Sequence, residues 1–366
     1  MRVTFAIPSL GSGGAERVLT ILANSLAAKG WEITLLTLDD RAWSSFYDLD
    51  ARLQWVRLGL MKEAPDVLSG LGNNYQRVRA ISRAIRDSRP QVVVSFIDTM
   101  NVLVLMAAMG LNVPVIISER TDPTKHKPGR IWRTLRALTY PSASRLVTQN
   151  QSGWNFFKPI VGNRGSIIPN PILPVPEKPG ETPFLPEGQV VMTAGRLSRE
   201  KGCDLLIQAF ARLSDQYPKW RLLILGDGPQ RSELEALVTR LGLQERILMP
   251  GKVKNPYDYY RKADLFVLPS RYEGLPNAMC EAMACGMAVV ATNCSPGVAE
   301  VIQNGANGLL VEAENVASLA AALGDLMGDK DRRASLGQRA HLSVEPYHLD
   351  RVMTLWENLI RDLVNK

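Results

Sequence analysis

Glu273-Gly274-Leu275-Pro276-Asn277-Ala278-Met279-Cys280-Glu281 sets two carboxylates eight residues apart across a Gly-Leu-Pro turn that opens a helix. The exposed backbone N–H groups of such a turn make an anion site, and a carboxylate that the anion does not need is left for hydroxyls. Phosphate together with hydroxyls describes a sugar nucleotide. Glycosidases also use two carboxyls, but hold them ~5 Å apart when retaining and up to ~9.5 Å apart when inverting, whereas eight residues span ~12 Å along a helix. Two separate contacts therefore fit better than one shared bond. The plainer alternative is two solvated acids near a helix start, where the dipole favours them.

Outward from this stretch, Ala263-Asp264-Leu265-Phe266-Val267-Leu268-Pro269-Ser270-Arg271-Tyr272 reads as a short apolar strand emptying into the loop that carries Glu273. Gly286-Met287-Ala288-Val289-Val290-Ala291-Thr292 reads as a second strand. Strand, loop, helix and strand make a βαβ unit, whose loop lies at the carboxyl edge where open parallel sheets bind ligands.

With its neighbours, PSRYEGLPNAMCEAMACGMAVVAT resembles the E-x7-E signature of retaining, nucleotide-sugar-dependent family 4 glycosyltransferases with the GT-B fold. Three further blocks agree in order: Gly13-Gly14-Ala15-Glu16-Arg17, Gly195-Arg196-Leu197-Ser198-Arg199-Glu200-Lys201-Gly202 and Gly226-Asp227-Gly228-Pro229. Four ordered blocks across nearly the whole chain are a specific match, where one alone is weak. The resemblance implies an α/β protein of two doubly wound Rossmann-like domains facing a central cleft, with a C-terminal helix crossing back to the first domain.

The chain's rhythm of strand and helix supports two such domains. Strands are expected at 2–8, 31–38, 91–96, 113–118 and 144–148, alternating with helices at 14–29, 74–89, 100–110 and 129–140. Pro171, Pro174, Pro176, Pro179, Pro183 and Pro186 mark 171–188 as a linker between a first domain, 1–170, and a second, 189–344. The second restarts with strands near 189–194, 221–225, 246–250, 264–268, 287–291 and 308–311, and helices at about 202–216, 229–241, 275–285 and 315–327. Residues 345–366 read as the closing amphipathic helix that the resemblance packs on the first domain.

Composition allows this reading. The 366 residues suit two ordinary domains, and 46% apolar content with 22% charge is that of a globular protein. Four cysteines without CxxC spacing read as free thiols of a reducing compartment. The start shows no signal-peptide core, and the longest apolar run, Val102 to Leu111, is half a membrane span, so a cytoplasmic location is expected.

Charge is unevenly shared: 1–170 carries 21 Lys+Arg against 12 Asp+Glu, and 171–366 carries 22 against 24. Arg77, Arg79, Arg83, Arg86 and Arg89 form one basic segment, and Lys125, Lys127, Arg130, Arg133 and Arg136 another. The alternatives are a solvated helix face or an anionic membrane surface beside a lipid-linked acceptor. Nucleic acid is not expected, since no helix-turn-helix, zinc or aromatic-basic motif accompanies the charge.

Each block has a chemical role. Gly13 and Gly14 let backbone approach a donor phosphate or the acceptor. Gly11-x-Gly13 followed by Asp39 looks somewhat like a dinucleotide fingerprint, but Glu16 occupies the third glycine position. Arg196 and Lys201 are placed to stabilise the charge that develops on a leaving nucleoside diphosphate, in place of a metal; a surface pair near Glu200 is the bland alternative. No Asp-x-Asp signature lies in a suitable loop, so neither metal nor cofactor is expected. Gly226 and Gly228 let a phosphate or base approach, although a tight turn explains them nearly as well.

The resemblance assigns Glu273 to hydroxyls of the transferred hexose and Glu281 to the ribose, with Asn277 and the amides of Gly274 and Leu275 facing the diphosphate. It implies no protein nucleophile. Many relatives carry a His in the loop where this chain reads Ile117-Ser118-Glu119-Arg120-Thr121-Asp122-Pro123, a form that looks like bacterial exopolysaccharide, capsule or lipid-linked glycan enzymes. Glu119 or Arg120 is expected to take the sugar contact; His126 is close by, although its place between Lys125 and Lys127 favours a surface histidine. The expected function is transfer of a hexose or N-acetylhexosamine, from a UDP-linked donor, to a glycan or polyprenyl-linked acceptor at the membrane's inner face. The alternatives are a UDP-N-acetylglucosamine epimerase, which the E-x7-E block disfavours, and a silent nucleotide-sugar-binding module.

Overall fold

Val92-Val93-Val94-Ser95-Phe96 and Leu265-Phe266-Val267-Leu268 are buried along their whole length. Fully buried runs of this kind, apolar but for Ser95, suit parallel strands covered on both faces. The computed structural model describes residues 1–40, 42–61, 67–126, 128–176 and 187–365. Part of the expected linker, 177–186, and Lys127 of the second basic segment lie outside the described residues. The chain divides into two compact units, Met1–Pro171 with Asp350–Lys366, and Ile172–Leu349.

The first unit runs β1 (Arg2–Ile7), α1 (Gly14–Ala28), β2 (Glu32–Thr37), β3 (Gln54–Arg57), α2 (Val67–Ser88), β4 (Val92–Phe96), α3 (Asp98–Ala108), β5 (Val115–Ser118), α4 (Arg130–Thr139), β6 (Arg145–Thr148), α5 (Gln151–Val161) and β7 (Gly165–Ile167). Its parallel sheet has the order β3-β2-β1-β4-β5-β6-β7. The order reverses at β1, which pairs β2 on one side and β4 on the other. Helix α3 packs against both α2 and α4.

The second unit runs β8 (Gln189–Ala194), α6 (Cys203–Ala211), β9 (Trp220–Leu225), α7 (Arg231–Arg240), β10 (Ile247–Gly251), α8 (Tyr257–Tyr260), β11 (Leu265–Leu268), α9 (Asn277–Ala284), β12 (Ala288–Thr292), α10 (Pro296–Ala299), β13 (Leu309–Val311), α11 (Val316–Gly328) and α12 (Lys330–Ser343). Its sheet order is β10-β9-β8-β11-β12-β13. Along β9, Leu222 and Ile224 enter the core on one face while Leu223 and Leu225 enter the core on the other. Each such side chain contributes roughly 1.5–3 kcal/mol by leaving water. Order reverses here at β8, between β9 and β11, so the loops after β8 and β11 meet at the switch point where α/β sheets take ligands.

The last helix, α13 (Leu349–Val364), lies in the first unit for nearly its whole length. Its Trp356 stacks on Phe96 at 6.0 Å, and Arg361 lies 5.4 Å over Trp31.

The structure also holds elements that the periodicity did not show. Helix α5 contains Pro159, which argues against a helix on local grounds, and is held by an Asn150 N-cap accepting from Gly153 N. Helix α12 buries only Arg333, Leu336, Gly337 and Ala340, too little apolar side chain for an amphipathic stripe. Strands β3 and β7 are short sheet edges.

Candidate functional site

In the second unit, the loop after β8 carries Gly195 to Gly202 and the loop after β11 carries Pro269 to Pro276. Pairing of β8 with β11 brings them together. Lys201 Nζ donates to both oxygens of Glu273, at 2.8 and 2.9 Å. Ser270 Oγ donates to the same carboxylate at 2.7 Å. Glu273 is buried. Burial alone would lower the Lys201 pKa, but the charge and hydrogen bonds of Glu273 outweigh it and hold the ammonium above its ordinary value.

Arg271, which the motif reading quoted but gave no role, fastens the two loops. Its guanidinium makes a bidentate pair with Asp204 at 2.7 and 2.8 Å, donates to the Arg199 carbonyl at 2.7 Å and reaches Glu314 at 2.9 Å. Its backbone N–H donates to the Glu200 carbonyl at 2.7 Å. The Asp204 hydrogen bond leads in raising the Arg271 pKa. Gly202, at φ +64°, stands where a Cβ would lie 2.1 Å from the Pro269 carbonyl oxygen, so the loops touch backbone to backbone.

Arg196 is exposed, and its guanidinium has no hydrogen-bond or ion-pair partner among the described residues. Asn277 opens α9, with Gly274 and Leu275 in the turn before it. Glu281 is buried inside α9 and accepts from Tyr260 Oη at 3.5 Å. Gly226 and Gly228 have a packing role: a Cβ at Gly226 would lie 1.8 Å from the Gly195 carbonyl oxygen, and at Gly228 2.4 Å from that of Leu197. These glycines let the β9 loop support the loop that carries Arg196.

In the first unit, Gly13 caps α1 and Gly14 begins it, with the Glu16 carboxylate folded back over Gly13 and Tyr47 Oη donating to the Ser12 and Gly13 carbonyls. Glu119 is buried and accepts from Tyr140 Oη. Burial pushes its carboxyl up to about 7, against the Tyr140 hydrogen bond. Arg120 donates to Asn170 Oδ1 at 2.8 Å and lies over Phe96 at 4.4 Å and Trp356 at 5.7 Å. Its burial pulls its pKa down to about 9. His126 is exposed, but its Nε2 lies 3.1 Å from Asp98 Oδ2, a partner 28 residues away. No group of three or more His, Cys, Asp or Glu placed to hold a metal occurs among the described residues.

Residues 175–342 match the family model of glycosyl transferases group 1, and residues 13–153 match that of a glycosyl transferase 4-like domain. The GalNAc-alpha-(1->4)-GalNAc-alpha-(1->3)-diNAcBac-PP-undecaprenol alpha-1,4-N-acetyl-D-galactosaminyltransferase of Campylobacter jejuni is 30% identical over 366 residues, covering 100% of this chain and 99% of that protein. This chain belongs to the group 1 glycosyltransferases.

Solved structures place the glycosyltransferase in the GT-B fold. Sucrose-phosphate synthase from Thermosynechococcus elongatus superposes with a TM-score of 0.85 at 19% identity, over 99% of each chain. Alr3699/HepE of Anabaena, in complex with UDP-glucose, superposes with a TM-score of 0.78 at 19% identity, over 98% of this chain and 99% of that one.

Proposed function

We propose that this enzyme moves a hexose or N-acetylhexosamine from a UDP-sugar, with retention, to a lipid-linked saccharide acceptor in cell-surface glycan assembly. The observation that carries the reading is the Lys201–Glu273 pair at the switch point of the second unit, with Arg196, which has no partner among the described residues, on the same loop as Lys201. Glu273, oriented by Lys201 and Ser270, binds hydroxyls of the transferred sugar. Arg196 and Lys201 stabilise the negative charge that grows on the diphosphate as the glycosyl–phosphate bond breaks. Asn277 and the turn at Gly274 and Leu275 receive the diphosphate at the start of α9, and Glu281 the ribose.

The acceptor class is supported by the Campylobacter relative, whose name specifies a diphospho-undecaprenol glycan. The UDP donor is supported by the complex of Alr3699/HepE with UDP-glucose. In the first unit, Gly13, Gly14, Glu119 and Arg120 are assigned to substrate. No described helix is long and apolar enough to cross a membrane. Attachment at the membrane's inner face is therefore assigned to the exposed Arg79, Arg83 and Arg86 on α2 and to α4, where Ile131 and Leu138 are 56% and 71% exposed beside Arg130 and Arg133.

A thermal-shift screen against UDP- and GDP-sugars tests the donor. A ligand at 100 times its dissociation constant adds ~2.7 kcal/mol, so the UDP-sugar that is used will stand out. Transfer from that sugar to a polyprenyl-diphosphate-linked N-acetylhexosamine, with the product anomer read by NMR, tests the rest. Stabilisation by GDP-sugars alone overturns the UDP assignment, and an inverted product overturns retention.

A further inference from the structure

Asp98 and His126 meet where the ends of β4 and β5 lie side by side. Asp98 Oδ1 accepts from its neighbour's N–H, Thr99 N, at 2.8 Å, and Oδ2 pairs with His126 Nε2. That contact places the ring proton on Nε2 and leaves Nδ1 as the acceptor of the neutral imidazole. Nδ1 has no partner among the described residues, and the side chain is 43% exposed. The turn that sets Asp98 in place is strained: Ile97, β-branched, has φ 76°.

The surroundings point to one ligand chemistry. Asp98, Glu119 and Asp122 are all buried here, which disfavours a phosphate. Among the described residues ten buried side-chain atoms lack a hydrogen-bond partner, and six belong to this edge: Ser95 Oγ, Asn101 Oδ1, Ser118 Oγ, Asp122 Oδ2, and Arg120 Nε and Nη2. Those atoms are closed to solvent; the neutral Nδ1, on a half-exposed side chain, accepts a hydrogen bond, which a hydroxyl can give and an ionised phosphate oxygen cannot.

We propose that the Asp98–His126 pair is a hydroxyl-binding site for the acceptor sugar, in which His126 Nδ1 accepts a hydrogen bond from an acceptor hydroxyl and Asp98 is its positioning residue. The site rests on the glycosyltransferase reading above, with the donor held by the second unit. Asp98 on α3, Glu119 after β5 and Arg136 on α4 are the charged groups that act on the imidazole. The Asp98 hydrogen bond leads and holds its pKa above the ordinary value, partial burial opposes, the charges of Asp98 and Glu119 add, and Arg136 subtracts. Binding through the neutral ring therefore strengthens as pH rises through that raised pKa.

The chain has three histidines, so the ring resonances of the whole protein can be followed by NMR. UDP-saturated enzyme is titrated with methyl N-acetyl-α-galactosaminide across pH 5.5–8.5. The His126 signal should shift saturably, and its apparent pKa should fall on binding. His126→Ala should weaken the glycoside about tenfold, the worth of one hydrogen bond of this kind. His126→Asn should recover part of that loss, and Asp98→Asn should lower the pKa of the free ring. A silent His126 signal, a pKa unmoved by glycoside, or equal binding by His126→Ala overturns the proposal. Thermal stabilisation by UDP is read on the same samples. Its absence counts against the donor reading, and the hydroxyl site is then judged on the glycoside titration alone.

Discussion

Arg196 and Lys201 share a proposed role but differ in what surrounds them, and this separates their variants. Arg196→Ala removes an exposed guanidinium and should leave stability within about 0.5 kcal/mol, while cutting turnover roughly 100-fold. Lys201→Ala should cut turnover similarly and also cost about 1.5–3 kcal/mol, because it strips the buried Glu273 carboxylate of its counter-charge. Near-normal turnover in both, by initial rates at saturating donor, would remove the diphosphate role. Glu119 supplies a second test. Its folded pKa of about 7 lies above the ordinary 4.5, so the native state holds the proton more tightly than the unfolded chain. The resulting stability is fully present below 4.5 and is lost as pH rises through 7, on the order of 3 kcal/mol. Glu119→Gln keeps a neutral partner for Tyr140, and should flatten that decline and be the more stable protein at pH 8. Parallel denaturation curves for wild type and variant from pH 5 to 8 would show that Glu119 does not titrate in this window.

Between elements, contact of the β8 and β11 loops sets the Lys201–Glu273 geometry, and Gly202 is where it is most exposed to change. Gly202→Ala puts an L side chain at φ +64° and a Cβ against the Pro269 carbonyl, and should cost about 1–3 kcal/mol while weakening UDP-sugar binding. Urea unfolding and donor titration of the variant measure both, and unchanged donor affinity would mean that the loops are positioned independently. The unit around β11, α9 and β12 was legible because the apolar runs LFVL and AVVA stand on either side of a Gly-Leu-Pro turn. Arg271 was not, since its partners Asp204 and Glu314 lie 67 and 43 residues away and only the strand order joins them. His126 read as a solvated histidine between lysines for the same reason: Asp98 reaches it through the pairing of β4 with β5. Gly226 and Gly228 read either as ligand contacts or as a tight turn, and the structure adds a packing contact with the Gly195 and Leu197 carbonyls that no local pattern announces.

At the scale of the molecule, residues 1–170 carry 21 Lys+Arg against 12 Asp+Glu, while 171–366 are nearly balanced at 22 against 24. Within the first unit, α2 and α4 both pack on α3, so their exposed arginines belong to one helical layer, to which α4 adds Ile131 and Leu138. A basic layer with two exposed aliphatic side chains is suited to the headgroup region of an anionic bilayer, where each cation contributes about 1 kcal/mol and the attraction decays within a Debye length. The protein should therefore co-sediment with phosphatidylglycerol vesicles at low salt and be released at high salt. Replacing Arg79, Arg83 and Arg86 together should weaken binding by up to ~3 kcal/mol. Ile131→Asp with Leu138→Asp should weaken what remains at high salt, because it removes the apolar part of the attraction. Donor affinity should be unchanged in both variants, since the residues proposed to bind the donor lie in the other unit. Equal recovery with neutral and anionic vesicles, or none with either, would leave the layer as a solvated surface and remove the membrane from the proposed function while leaving sugar transfer in place.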